Sequence, residues 1–160
     1  MWICERPGRW FSWSEFCVSS KVSTLTLAGA LERRHDHQAA IVALCAAVLD
    51  PLRDQLGPIR ITSGYRTPAL NTAIGGADKS EHLTGRAADI VLTSGHDVDR
   101  ISDVARRLRL PVRQCIGYAP ERGGHVHVSY SGARGPAKRQ YLFAGIDNGS
   151  NRWDTWPDDK

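Results

Sequence analysis

The sequence predicts a mixed helix-and-sheet domain, with short antiparallel strands and helices packed against them. Three observations support this. Between residues 38 and 56, Ile41, Leu44, Cys45, Val48, Leu49, Leu52 and Leu56 recur at helical spacing. Short apolar or alternating runs at 59–63, 87–92, 114–118, 125–130 and 139–143 read as strands, and short Gly/Pro loops between the last of them favour antiparallel pairing. The chain has 160 residues, 41% hydrophobic and 24% charged, which is enough for one domain with a real core and far from a disordered composition.

The elements follow in order. Residues 1–20 carry Trp2, Trp10, Trp13, Phe11 and Phe16, and Ser12 with Glu15 forms a capping-box signature flanked by Phe11 and Phe16. A short helix is expected from about residue 13, with its aromatics packed on the main body rather than reading carbohydrate. In the long helix Pro51 should cause a kink or a restart after Asp50, and Gly57 should end it. Strand 59–63 leaves through the turn Gly64-Tyr65-Arg66-Thr67-Pro68, and Pro68 suits the first turn of a short helix that stops before Gly75-Gly76. Residues 87–92 form an apolar strand and 98–108 a surface helix, and three further strands complete the sheet. The polar tail from about residue 147 has only Trp153 and Trp156 as anchors. No repeat or linker suggests a second domain, so residues 1–160 are read as one unit and a monomer is expected.

Several function classes are excluded. No stretch approaches the ~20 apolar residues of a membrane-spanning helix, so membrane insertion is not expected. The formal charge of +4 is mild and its cations are scattered, apart from short groups such as Arg33-Arg34 and Arg106-Arg107. There is no basic stripe or stacking module for nucleic acid, and the charge reads as solubility. The N-terminus lacks the basic, apolar and cleavage regions of a secretory signal, so synthesis in a cytoplasm is expected. Cys4, Cys17, Cys45 and Cys115 contain no C-x-x-C pair, which argues against a cysteine–zinc knuckle. Cys45 and Cys115 read as buried thiols, and nothing requires Cys4 to pair with Cys17.

The chemistry concentrates in two places, Ser80-x-His82-x-x-Gly85-x-Ala87-x-Asp89 and His125-Val126-His127. Asp89 lies inside an apolar strand, where a carboxylate is costly to bury unless something cationic pairs with it. His125 and His127 alternate, so on a strand they share a face. His82 sits on the loop before the Asp89 strand, with Gly85 free to turn between them. A lone His-x-His is commonly structural, and a lone strand aspartate equally suits an arginine. Together, His82, Asp89 and the His125-x-His127 pair offer the nitrogen and oxygen ligands expected of one zinc site, with a coordination position left for water. Two histidines and one carboxylate leave net positive charge on such a centre, which acidifies water and polarises a carbonyl.

These residues resemble the zinc D-alanyl-D-alanine carboxypeptidases of the wider lysostaphin, D-Ala-D-Ala metallopeptidase and hedgehog group. The upstream turn from Ser63 to Pro68 with Arg66, the segments Ala69-Leu70-Asn71, Gly75-Gly76-Ala77 and Gln114–Tyr118, and the pattern Phe11-Ser12-x-x-Glu15-Phe16 resemble phage-type members. The likeness spans roughly residues 11 to 130. It implies a small α+β fold whose antiparallel sheet holds one Zn2+ per chain. It implies peptidoglycan stem peptides as the substrate, cut at a D-Ala-D-Ala or L-Ala-D-Glu type bond. It makes His82, Asp89 and His127 the metal ligands, and Arg66 the group that binds a substrate carboxylate or carbonyl oxygen. Ser80 and Tyr118 are read as further substrate-binding residues.

One departure concerns proton transfer. Many carboxypeptidases of the group carry an acid three residues before the last histidine ligand, and here that position is Gly124. His125 is the favoured substitute, and Glu121 in the preceding loop is the second candidate. Glu81 is expected to face solvent or pair locally. His35 and His37 read as a solvated surface stretch, and His96 as part of a turn that starts the next helix. The sequence therefore points to a zinc peptidase of the bacterial wall, made as a phage or prophage endolysin and reaching the wall after phage-mediated release. The alternative is a zinc-stabilised wall-binding module that has lost catalysis.

Overall fold

The computed structural model describes residues 1–94, 98–130, 132, 140–147 and 150–155. A 3-10 turn over Trp13–Cys17 opens the chain, and the Glu15 carboxylate accepts the Ser12 N–H at 2.7 Å, as the capping pattern requires. Phe11, Trp13 and Phe16 are buried, whereas Trp10 stays 47% exposed with its indole N–H donated to Asp54. Helix α1, Thr24–Leu31, was not anticipated by the sequence reading. It is capped by the Ser23 side chain, which accepts the Thr26 N–H, and it buries Leu27 and Leu31.

The long helix begins three residues earlier than expected. Helix α2 covers His35–Leu44, a π-helical turn Cys45–Leu49 follows, and α3 covers Asp50–Leu56. Pro51 is accommodated without breaking the run, because the wider π turn precedes it and Pro51 sits in the first turn of α3. The early start carries His37 inward. It is buried against Tyr65, with Nε2 2.7 Å from Arg34, so it is not the solvated histidine the polar sequence suggested, while His35 remains exposed. All four cysteines are free thiols, and only Cys4 is exposed.

Strands β1 (Ile59–Ser63), β2 (Ala87–Leu92), β3 (Gln114–Tyr118), β4 (Val126–Ser129), β5 (Gln140–Asp147) and β6 (Ser150–Thr155) form one sheet, in the order β1-β2-β4-β3-β5-β6. Helix α4 covers Pro68–Ala73, and α5, Val98–Arg107, lies between β2 and β3. The period of two divides each strand between two faces. Ile59, Ile61, Ala88, Ile90, Leu92, Cys115, Val126 and Val128 join the helices in one core, while Asp89, Ile116 and His127 occupy the opposite face. The apolar β2 thus serves both faces, and its one carboxylate points away from the core.

Two expectations for the last third are corrected. The sheet is antiparallel except at β3–β5, which pair in parallel, with Gln114 opposite Gln140. The chain leaving β4 therefore does not return as a hairpin, and β5 takes the outer edge of β3 instead. The segment from 147 onward is also more than a polar tail, since β6 pairs antiparallel with β5 from Asp147–Ser150 to Leu142–Thr155. Polarity concealed it, although Asn148-Gly149, the dipeptide two-residue hairpins favour, stands between the two strands in sequence. His96 and Trp156, like the side chain of Trp153, lie outside the described residues. No helix among the described residues is long and apolar enough to cross a membrane.

Candidate metal centre

Strand register assembles the site. Asp89 of β2 lies directly opposite His127 of β4, Ile116 of β3 opposite the same His127, and Ser63 of β1 opposite Asp89. Directly opposed residues of an antiparallel pair bring their Cβ atoms within about 5.5 Å, so Asp89 and His127 meet without any loop rearrangement. His82 enters from a 3-10 turn, Glu81–Thr84, which ends at Gly85 with φ +72°. Gly85 is fixed twice over: its backbone is left-handed, and a Cβ there would lie 2.5 Å from the His37 carbonyl oxygen. The buried end of α2 and the turn into β2 therefore touch at the one residue without a side chain.

The donor set fits a metal. His82 Nε2, Asp89 Oδ1 and His127 Nδ1 lie 3.2, 2.9 and 3.2 Å apart. Tetrahedral coordination at ~2.0–2.1 Å needs edges of about 3.3 Å, close to these separations. Among the described residues these three form the only His/Cys/Asp/Glu group placed to hold an ion. The tautomer of His82 is also set: its Nδ1 lies 2.7 Å from the Gly64 carbonyl, which can only accept, so the proton sits on Nδ1 and Nε2 offers a lone pair. Protonation states agree. Burial pushes His82 below its ordinary range. Burial alone would raise Asp89, but the adjacent His82 and His127 more than offset this and hold it ionised, well below the usual carboxylate range.

Arg66 meets a metal-donor carboxylate. Its Nη2 donates to Asp89 Oδ2 at 2.8 Å and its Nε to Ser63 Oγ at 3.0 Å. The two Asp89 oxygens are thus divided, Oδ1 toward the histidines and Oδ2 toward the guanidinium. Arg66 also lines the cavity, so contact with Asp89 and access to a ligand coexist. The residues that orient the site, Gly64 through its carbonyl and Ser63 through its hydroxyl, were missed as individuals. Ser63 and Gly64 belong to the noted turn, but a backbone carbonyl's role leaves no side-chain signature.

A cavity of about 740 Å³ opens over the three donors, and Arg66, Ser80, Tyr118 and His125 all line it. His125 lies just before β4 rather than within it, and its ring stacks on Tyr118 with centroids 4.5 Å apart. Burial pushes the His125 pKa down and that of the Tyr118 phenol up, leaving a neutral imidazole beside a protonated hydroxyl. The preceding loop explains the missing acid. Gly123 and Gly124 have φ +101° and +55°, and the Gly124 N–H donates back to the Ala119 carbonyl. A glutamate at 124 would have to adopt that left-handed backbone, at a cost of roughly 1–2 kcal/mol. The Glu121 backbone belongs to a 3-10 turn, Pro120–Arg122, and its side chain lies outside the described residues. Glu81 contradicts the expectation of solvent or a local partner: it is largely buried and paired with Arg113, distant in sequence, at 3.0 Å.

A sequence model of the family described as Peptidase M15 matches residues 11–129, and no curated protein matches the chain. The matched span includes the aromatic N-terminal turn, the Arg66 turn, the three metal-donor residues and both strands that carry Asp89 and His127.

Proposed function

From the premise that the chain belongs to the peptidase M15 family, we propose that it is a zinc-dependent peptidase acting on the stem peptides of bacterial peptidoglycan. The observation that carries this reading is the convergence of His82 Nε2, Asp89 Oδ1 and His127 Nδ1 in a cavity, with the His82 tautomer set by Gly64. His82, Asp89 and His127 would hold one zinc ion. When bound, zinc would acidify an attacking water and polarise the scissile carbonyl.

The chain's own residues do the rest. His125 is neutral in the fold, so a ring nitrogen can take the proton released on attack and return it to the departing amine. Tyr118 holds that ring in one plane by stacking. Arg66 pairs with Asp89 Oδ2 and orients the carboxylate, and its remaining N–H groups can meet a substrate carbonyl or carboxylate oxygen. Ser80 and Tyr118 supply polar contacts along the cavity wall. Glu121 takes the second place as proton acceptor. Gly124 gives the alternative, a wall-binding module without catalysis, its one support.

A D-Ala-D-Ala or an L-Ala-D-Glu type bond is the proposed target, and wall lysis after phage-mediated release is the proposed setting. Mass spectrometry of muropeptides after digestion by the zinc-loaded chain tests the reading. New amine termini at one bond type are expected. An unchanged muropeptide profile at every pH, with zinc fully bound, would leave only the binding module.

A further inference from the structure

The cavity wall carries a second charged device that the metal centre does not use. Arg113 immediately precedes β3, and its backbone N–H donates to the Ser129 carbonyl at 2.7 Å, which anchors its main chain to the sheet. Its guanidinium crosses to Glu81, on the turn that carries His82, with Nη1 3.0 Å from Oε1. Exposure divides the pair: the Glu81 side chain is 12% exposed and that of Arg113 54%. Glu81 therefore lies beneath the guanidinium and Arg113 faces the opening, and both line the cavity. Glu81 Oε2 is buried without a hydrogen-bond partner. Among the described residues Arg113 is the partner that holds the Glu81 carboxylate, which fixes where the cation points and takes no part in the metal cluster.

The charge of the wall indicates what it receives. Among the described residues, Arg66, Lys79, Arg113 and Arg122 line the cavity beside two carboxylates, Asp89 and Glu81. Arg66 stands at the metal donors through its contact with Asp89, and Arg122 lies over the Tyr118 ring. Lys79 and Arg113 share the wall formed by the Glu81 turn and the start of β3. Arg113 spends one N–H edge on Glu81, and the planar fork has further donors matched to a carboxylate. It stands three positions before Ile116, which faces His127 across the sheet, so its main chain lies about 10 Å along the strand from the metal-binding position. An extended peptide covers that distance in about three residues.

We propose that Arg113, supported by Lys79, binds a free carboxylate of the peptide substrate about two to three residues from the scissile amide, with Glu81 as its positioning residue. This rests on the peptidase reading and adds a specificity determinant to it: the enzyme selects peptides by a charge remote from the bond it cuts.

The test uses a synthetic stem pentapeptide as the free acid and with each carboxylate in turn converted to the amide. Cleavage by the zinc-loaded full chain is followed by mass spectrometry. Binding is measured by calorimetry on the His125→Ala chain, with and without Arg113→Met. Amidating one particular carboxylate should raise Kd and KM about tenfold, the scale of one partly exposed charge-assisted pair, with kcat little changed. In Arg113→Met that acid-to-amide ratio should collapse to near unity, while zinc content stays at the parent level. Arg113→Lys, which keeps the charge but loses the fork, should retain part of it, and Glu81→Gln should lower it. If no amidation changes Kd, or if Arg113→Met weakens acid and amide alike, the anchor is overturned. If the acid-to-amide ratio in Kd depends on Arg113 but no peptide is cut, the anchor stands and the peptidase reading falls.

Discussion

Arg66→Met in the zinc-free protein probes the electrostatic frame of the site. The Arg66 and Asp89 side chains are only 13% and 11% exposed, and their contact is 2.8 Å. Removing the guanidinium leaves Asp89 Oδ2 largely buried and unpaired, and breaking such a pair costs about 3–5 kcal/mol. That is a large share of the roughly 5–15 kcal/mol that holds a domain together. At about 2–4 °C per kcal/mol for a chain of this size, the melting temperature should fall by roughly 6–20 °C. Saturating zinc should recover most of the loss, because the ion supplies Asp89 with a new cationic partner. Asp89→Asn in the same background should likewise cost less than its effect in the parent, since the unpaired charge is already gone. Thermal unfolding followed by calorimetry, with and without zinc, reads all of these. A loss below about 1 kcal/mol, the range of an exposed pair, would refute the clamp and leave Arg66 as a ligand-facing group only.

Other consequences are equally open to measurement. His125→Ala should lower kcat by about 10²–10⁴-fold while zinc content stays at the parent level, and a variant with full turnover would remove His125 from proton transfer. Gly85→Ala places a Cβ against the His37 carbonyl in a left-handed backbone, so urea unfolding should show a loss of roughly 2–4 kcal/mol; a cost under half a kcal/mol would mean that the α2 contact yields freely. Burial holds His37, His82 and His125 below their ordinary value of 6.5. As pH falls below that value the unfolded chain takes up protons that the fold refuses, so zinc-free stability should decline from about pH 6.5 downward. The depressed Asp89 acts lower, its contribution being present above its ordinary 3.8 and lost only as pH falls through its folded value. A urea midpoint at pH 5 equal to or above that at pH 7.5 would contradict the histidine placement.

The site was more legible in the sequence than the sheet that carries it. Asp89 and His127 declare themselves because polar residues inside apolar, period-two strands need a physical reason, and a metal supplies one; His82 and Gly85 were legible through the spaced motif that leads into the Asp89 strand. Arg66 was visible as a residue but not in its geometry, since a sequence cannot show which acid a turn arginine meets. His37 was misread because a polar neighbourhood, Glu32 to His37, suggested solvent, whereas its helix phase places it against Tyr65. Glu81 was misread for a different reason: its partner Arg113 is distant in sequence and is brought close by the β2–β4–β3 pairing. The parallel β3–β5 contact was invisible because a short Gly/Pro-containing stretch between β4 and β5 predicts a hairpin, whereas β5 pairs with β3. Gly124, read first as a missing acid, becomes intelligible as a backbone requirement of the loop that brings His125 onto Tyr118.

The most direct measurement is a zinc titration of the chelator-stripped chain, with new amine termini released from purified peptidoglycan as the readout. Cleavage should be absent without metal, rise linearly with added zinc and level off at one equivalent per chain, and Asp89→Ala should release nothing at that point. Cleavage that persists in the stripped protein, or that never appears with the site saturated, would contradict a peptidase built on His82, Asp89 and His127.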